Sequence, residues 1–69
     1  MAEEIIFLVE EAAEGGFQAK ALGYSIFTEG NTIEELKIMV QDVVNCHFEP
    51  SEKPPLIRLH MVKDEVIAA

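Results

Sequence analysis

"EGNTIEEL", residues 29–36, places a glycine, two short polar residues and three carboxylates directly ahead of an apolar run. Such a stretch is either an acidic site or the start of a helix, and the spacing favours the helix. Thr32 followed three residues later by Glu35 is a capping box. The threonine hydroxyl accepts from the Glu35 N–H, and the Glu35 carboxylate reaches back to the Thr32 N–H. Glu34 adds negative charge in the first turn, where the helix dipole favours it. Beyond the cap, Leu36, Met39, Val40, Val43, Val44 and His47 recur at steps of three and four, one apolar face of a helix over about 33–48. Lys37, Gln41, Asp42 and Asn45 take the opposite side.

Upstream, "EIIFLVE" (4–10) is a continuous aliphatic run of the kind found in an interior strand covered on both faces. "EAAEGG" (11–16) ends in two glycines that can supply the positive φ of a hairpin connection. "FQAKAL" (17–22) alternates Phe17, Ala19 and Ala21 against Gln18, Lys20 and Leu22, as a returning half-buried strand does. Gly23 permits a bend, and "YSIFTEG" (24–30) reads as a third strand. Downstream, "EPSEKPP" (49–55) cannot continue a helix, and "LIRLHMV" (56–62) is a last strand.

The order β-β-β-α-β over residues 1–69 is expected to form a single α+β domain. A strand–helix–strand unit within one sheet makes a right-handed parallel crossover, which puts the first strand centrally with the last parallel beside it. One helix packs on one face of a four-stranded mixed sheet and leaves the other face bare. Yet Ile6 and Leu8 oppose Ile5, Phe7 and Val9, and Leu56 and Val62 oppose Ile57, Leu59 and Met61. Apolar residues on the bare face favour self-association or a partner, and a 69-residue chain gains stability from either. A homo-oligomer, dimer or tetramer, is expected.

Thirteen acids against five bases give a net charge of −8. Without a cluster of Lys and Arg, direct nucleic-acid binding and anionic membrane surfaces are disfavoured, whereas a basic protein partner is attracted. The single Cys46 excludes an internal disulfide, "IIFLV" is too short for a membrane span, and a cytoplasmic protein is expected.

The residue types of catalysis are scarce. Cys46 and His47, adjacent on a helix, diverge by about 100° and do not share a metal or form a nucleophile–base pair; Cys46 is expected as a small, partly buried apolar residue. Adding His60 gives three ligands at most, one short of a structural zinc site. Glu10 and Glu11 point to opposite faces of a strand, and Glu34 and Glu35 are accounted for by capping. No phosphate loop, GxSxG, HExxH or CxxC occurs. No enzyme activity, metal or cofactor is expected.

The segment "EGGFQAKALGYSIFTEGNTIEELKIMVQDVVNCHF" resembles the HicB-like antitoxin domain, through Gly15, Gly16, Phe17, Gly23, Gly30, Asn31, Thr32, Glu34, Glu35 and Leu36. With the flanking strands the likeness covers nearly the whole chain. It implies a partial RNase H-like fold without RNase H catalysis, and a small basic HicA-type ribonuclease toxin as the partner to be neutralised. The chain departs from the family in a longer stretch from Gly23 to Gly30 and in "KALG" where a proline-bearing turn is usual. It resembles a short, solo member lacking the C-terminal DNA-binding domain that many members carry. Partner contacts are expected from Glu10, Glu11, Glu14, Arg58 and His60. The alternative is an orphan self-associating protein with no toxin partner.

Overall fold

The computed structural model describes residues 3–63 and 65–69. Its elements are β1 (Glu4–Glu11), β2 (Phe17–Ala21), β3 (Phe27–Gly30), α1 (Ile33–His47) and β4 (Leu56–Val62). The strands form one mixed sheet in the order β3-β2-β1-β4. β1 and β2 pair antiparallel, as do β2 and β3, while β1 and β4 run parallel. The protein is thus an α+β domain with β1 central and α1 on one face, the arrangement expected from the element order.

The first hairpin turns through Ala12–Gly15, where the Gly15 N–H donates to the Ala12 carbonyl at 3.0 Å, and Gly15 and Gly16 take φ of 102° and 79°. The second connection departs from expectation. The third strand begins at Phe27, not at Tyr24, because Leu22–Ser25 form the loop of a hairpin that the Ala21 N–H closes on the Ile26 carbonyl at 3.0 Å. The loop carries Tyr24 to the far end of α1, where its ring meets Phe48 edge-on at 5.2 Å and His47 at 6.2 Å.

α1 starts as its sequence dictates. The Thr32 hydroxyl accepts from the Glu35 N–H at 3.1 Å, and Glu34 and Glu35 lie in the first turn. The reciprocal bond from the Thr32 N–H to the Glu35 carboxylate is not made among the described residues, so only half of the capping box forms. Leu36, Val40 and Val44 descend into the sheet and, with Ile5, Phe7, Val9, Ala19, Ala21 and Ile26, make the core. Met39 and Val43 flank this stripe and His47 lies beyond it, exposed. Cys46 is exposed rather than partly buried, since two residues past Val44 the helix has turned about 200° away from the sheet.

β3 joins α1 through only Asn31 and Thr32, and the approach is close. A Cβ on Gly30 would lie 2.8 Å from the Leu36 nitrogen, and one on Gly16 would lie 2.8 Å from the Gly30 oxygen. Both neighbours are backbone, so neither glycine position accepts a side chain without displacing the helix or the hairpin. Gly30→Ala is expected to destabilise the fold by about 1–3 kcal/mol, and Thr32→Ala by about 1 kcal/mol. Urea unfolding followed by circular dichroism measures both, and an unchanged midpoint for Gly30→Ala would contradict the close packing.

Candidate functional site

The face of the sheet opposite α1 is open to solvent, and the strand register orders its side chains into rows. Phe27 on β3, Lys20 on β2, Leu8 on β1 and His60 on β4 are successive register partners and make one row. Leu22, whose N–H donates to the Ile6 carbonyl at 2.8 Å, leads through Ile6 to Arg58 in the row toward the Tyr24 loop. Glu29, Gln18, Glu10 and Val62 make the row toward the first hairpin. Alternation puts these residues outward, while their neighbours Ile5, Phe7, Val9, Ala19 and Ala21 face the helix and are buried.

The face is apolar at its centre and charged around it. Ile6 and Leu8 are half-buried, whereas Phe27 and Leu22 are 58% and 50% exposed. A depression of about 110 Å³ between Leu8, Glu10, Gln18, Lys20 and Phe27 marks the surface. A ring and an aliphatic centre bordered by carboxylates and a lysine suit a protein contact. Aromatic side chains anchor such contacts and charged rims orient them.

Of the five residues singled out from sequence, three share this face. Glu10 lies on its hairpin-end row, and Arg58 and His60 project from β4. Glu11 has the opposite parity and Glu14 sits in the first hairpin, both exposed. Arg58 is already engaged, its Nε and Nη2 donating to the two carboxylate oxygens of Glu4 at 3.1 and 3.0 Å. Sequence reading passed over Lys20, Leu22 and Phe27. The alternation of β2 marks the first two as outward, but Phe27 required the true start of β3.

Two larger clefts lie among the described residues. One of about 820 Å³ lies at the hairpin end, with Glu14, Phe17, Glu29, Asn31, Glu35 and Met39 among its walls. The other, about 480 Å³, separates α1 from the start of β4. Among the described residues no group of three or more His, Cys, Asp or Glu side chains is placed to hold a metal ion, and no helix is long and apolar enough to cross a membrane.

These features define a small α+β domain of a single helix on a four-stranded sheet, with one sheet face exposed. The chain belongs to the UPF0150 family. A UPF0150 protein of Archaeoglobus fulgidus is 58% identical over 52 residues, which span 75% of this chain and 77% of that protein. One from Thermotoga maritima is 44% identical over 66 residues, 96% of this chain and 93% of that protein. No family model matches the chain and no solved structure matches it.

The hydrogen bonds from Arg58 hold the Glu4 carboxyl below its ordinary value of 4.5, with partial desolvation opposing them, and the same bonds raise Arg58 above its own. A carboxyl depressed in the folded state stabilises it fully above the unfolded value and stops doing so as pH falls through the folded value. At low salt, stability should therefore decline between about pH 5 and pH 3 more steeply for the natural chain than for Arg58→Gln. The difference is small because the pair is solvent-exposed, and raised salt should shrink it further. Urea midpoints across that range test this; parallel curves would exclude the pair as a contributor.

Proposed function

We propose that this chain is a non-enzymatic binding module of HicB-like antitoxin type, with a partial RNase H-like fold, that neutralises a small basic HicA-type ribonuclease. The observation that carries the reading is the uncovered sheet face, where exposed Phe27 and Leu22 and the half-buried Leu8 lie beside the carboxylates of Glu10 and Glu29. A ribonuclease holds RNA through basic side chains, and a surface with apolar anchors and an acidic border competes for the same groups. The net charge of −8 extends the attraction beyond the contact itself. The hairpin glycines and the Gly30-Asn31-Thr32 helix start, placed as the HicB-like pattern has them, support the same reading.

In this mechanism Phe27 supplies the buried anchor, while Glu10, with Glu11 and Glu14 from the same end of the sheet, steers the encounter. His60 borders the anchor, and Arg58, held by Glu4, serves as a fixed edge of the face. Catalysis plays no part; the toxin is silenced by occupation of its RNA-binding surface.

Affinity purification of the tagged chain from its native cells at mild salt, with intact masses of everything retained, is the direct test. A stoichiometric small basic protein whose RNA cleavage is suppressed by the chain is expected. Glu10→Gln/Glu11→Gln/Glu14→Gln should then weaken binding about tenfold at low salt and flatten its salt dependence, and Phe27→Ala should weaken binding with the salt dependence kept. Recovery of the chain alone would leave the orphan self-associating protein as the better reading, and unchanged affinity in the triple variant would remove the acidic contacts.

A further inference from the structure

The two edges of the sheet are unequal. β3 is four residues long and carries Glu29, so it offers little to a new strand. β4 is seven residues, Leu56–Val62, with no proline, lysine or carboxylate, in a chain with thirteen acids. Its one full charge, Arg58, is held by Glu4, so it keeps few of the devices by which edge strands resist pairing. Its helix-side residues are also incompletely covered. α1 lies over β2 and β3, leaving Ile57 and Leu59 half-buried and Met61 52% exposed. Residues 65–69, an arm beyond β4, have no secondary structure, and in it Val66 and Ile67 are 96% and 86% exposed. The molecule measures 51 × 20 × 18 Å, whereas its longest strand, of eight residues, spans about 27 Å.

We propose that two copies of the chain pair β4 with β4 antiparallel, making one continuous eight-stranded sheet, and that each seats its arm in the cleft between α1 and β4 of the other. Pairing about a two-fold axis through Leu59 sets Ile57 opposite Met61 and Leu59 opposite Leu59 on the helix side. On the other side it sets Leu56 opposite Val62 and Arg58 opposite His60. Neighbouring registers centre on Arg58 or His60, which places like side chains of a basic type against one another and leaves strand residues unpaired.

The same register positions the arm. With Val62 of one copy beside Leu56 of the other, Val66 and Ile67 lie within about 17 Å of Leu56. The cleft there, about 480 Å³, is walled by Val44, Asn45, Lys53, Pro54, Leu56 and Ile57. Its Lys53, donating to the Asn45 side chain at 2.8 Å, is held where Glu65 of the arriving arm passes. A chain's own arm leaves β4 from the opposite end, about 20 Å away along the strand, so the cleft is filled by exchange. Strand pairing alone is a contact one strand wide, and the two arms broaden it toward the roughly 800 Å² per partner of a specific interface.

This association names a surface distinct from the bare sheet face and does not depend on the toxin reading. The test uses the purified chain alone, so its failure and the failure to find a toxin are separate results. Sedimentation equilibrium of the full chain should give twice the 7.7 kDa monomer mass. Val66→Asp/Ile67→Asp, in an arm that holds no core residue, should keep the circular dichroism of the natural chain and weaken the dimer about tenfold or more. On a Cys46→Ser background, Leu59→Cys should cross-link under mild oxidation, since paired strands bring opposite Cα atoms to about 5 Å. Arg58→Cys and His60→Cys should cross-link less. A monomer at every concentration, a dimer indifferent to the arm substitutions, or cross-linking strongest at position 58 or 60 would each overturn the proposal.

Discussion

The contact between Gly30 and the first turn of α1 is the joint on which this small domain depends. Two residues separate the strand from the helix, and the helix backbone sits where a Cβ on Gly30 would be. That closeness fixes the height of α1 above the sheet. From it Leu36, Val40 and Val44 meet Ile5, Phe7 and Val9 with no exposed area between them. Replacing a buried leucine such as Leu36 by alanine costs about 2–5 kcal/mol, a large part of what a domain of this size has. The glycine is needed for proximity rather than for its backbone angle, which distinguishes it from Gly15, Gly16 and Gly23, all at positive φ.

Pinned at that joint, one helix covers β2 and β3 well and β4 poorly. Two surfaces follow from the single constraint: the broad face behind the sheet, and the long edge with its half-covered inner side. They differ chemically. The face mixes apolar groups with the carboxylates of Glu10 and Glu29 and the basic side chains of Lys20, Arg58 and His60. The edge carries no acid, so two copies can meet there without bringing carboxylates together. The two surfaces meet at Arg58 and His60, which stand on the outer side of β4.

Much of this was legible in the residues. The spacing of Leu36, Val40 and Val44, with Thr32 ahead of them, located the helix, and period-two alternation located the buried side of β2, while the unbroken apolar run of β1 left its two faces undistinguished. The parity of Arg58 and His60 put these two on one side of the last strand, whereas Glu10 joins their face only through the register of β1 on β4. Other features lie outside what periodicity carries. Tyr24–Ile26 have strand-forming side chains, but the turn geometry around Gly23 takes Tyr24 and Ser25 for a loop. The pairing of Glu4 with Arg58 joins residues 54 apart, and only the register of β1 on β4 brings them together. Cys46 fell on the wrong side of its expected burial because it lies about 200° round the helix from Val44, off the face that meets the sheet. The lateral position of α1, which decides what β4 exposes, is a property of the β3–α1 joint in three dimensions.

The parallel pairing of β1 with β4 also bears on how the chain reaches this state. Contacts among β1, β2, β3 and α1 link neighbours in sequence, whereas Glu4 waits for Leu56 and Glu10 for Val62. Closing a loop of that length is slow relative to forming a hairpin or a helix. During synthesis the hairpins and helix emerge first, and one edge of the central strand stays open until residues 56–62 have left the ribosome. Until then the strand that supplies Ile5, Phe7 and Val9 to the core presents an unsatisfied edge. The last seven-residue strand therefore acts as an intramolecular cap whose arrival ends the interval in which a nascent chain is most prone to pair with the wrong neighbour.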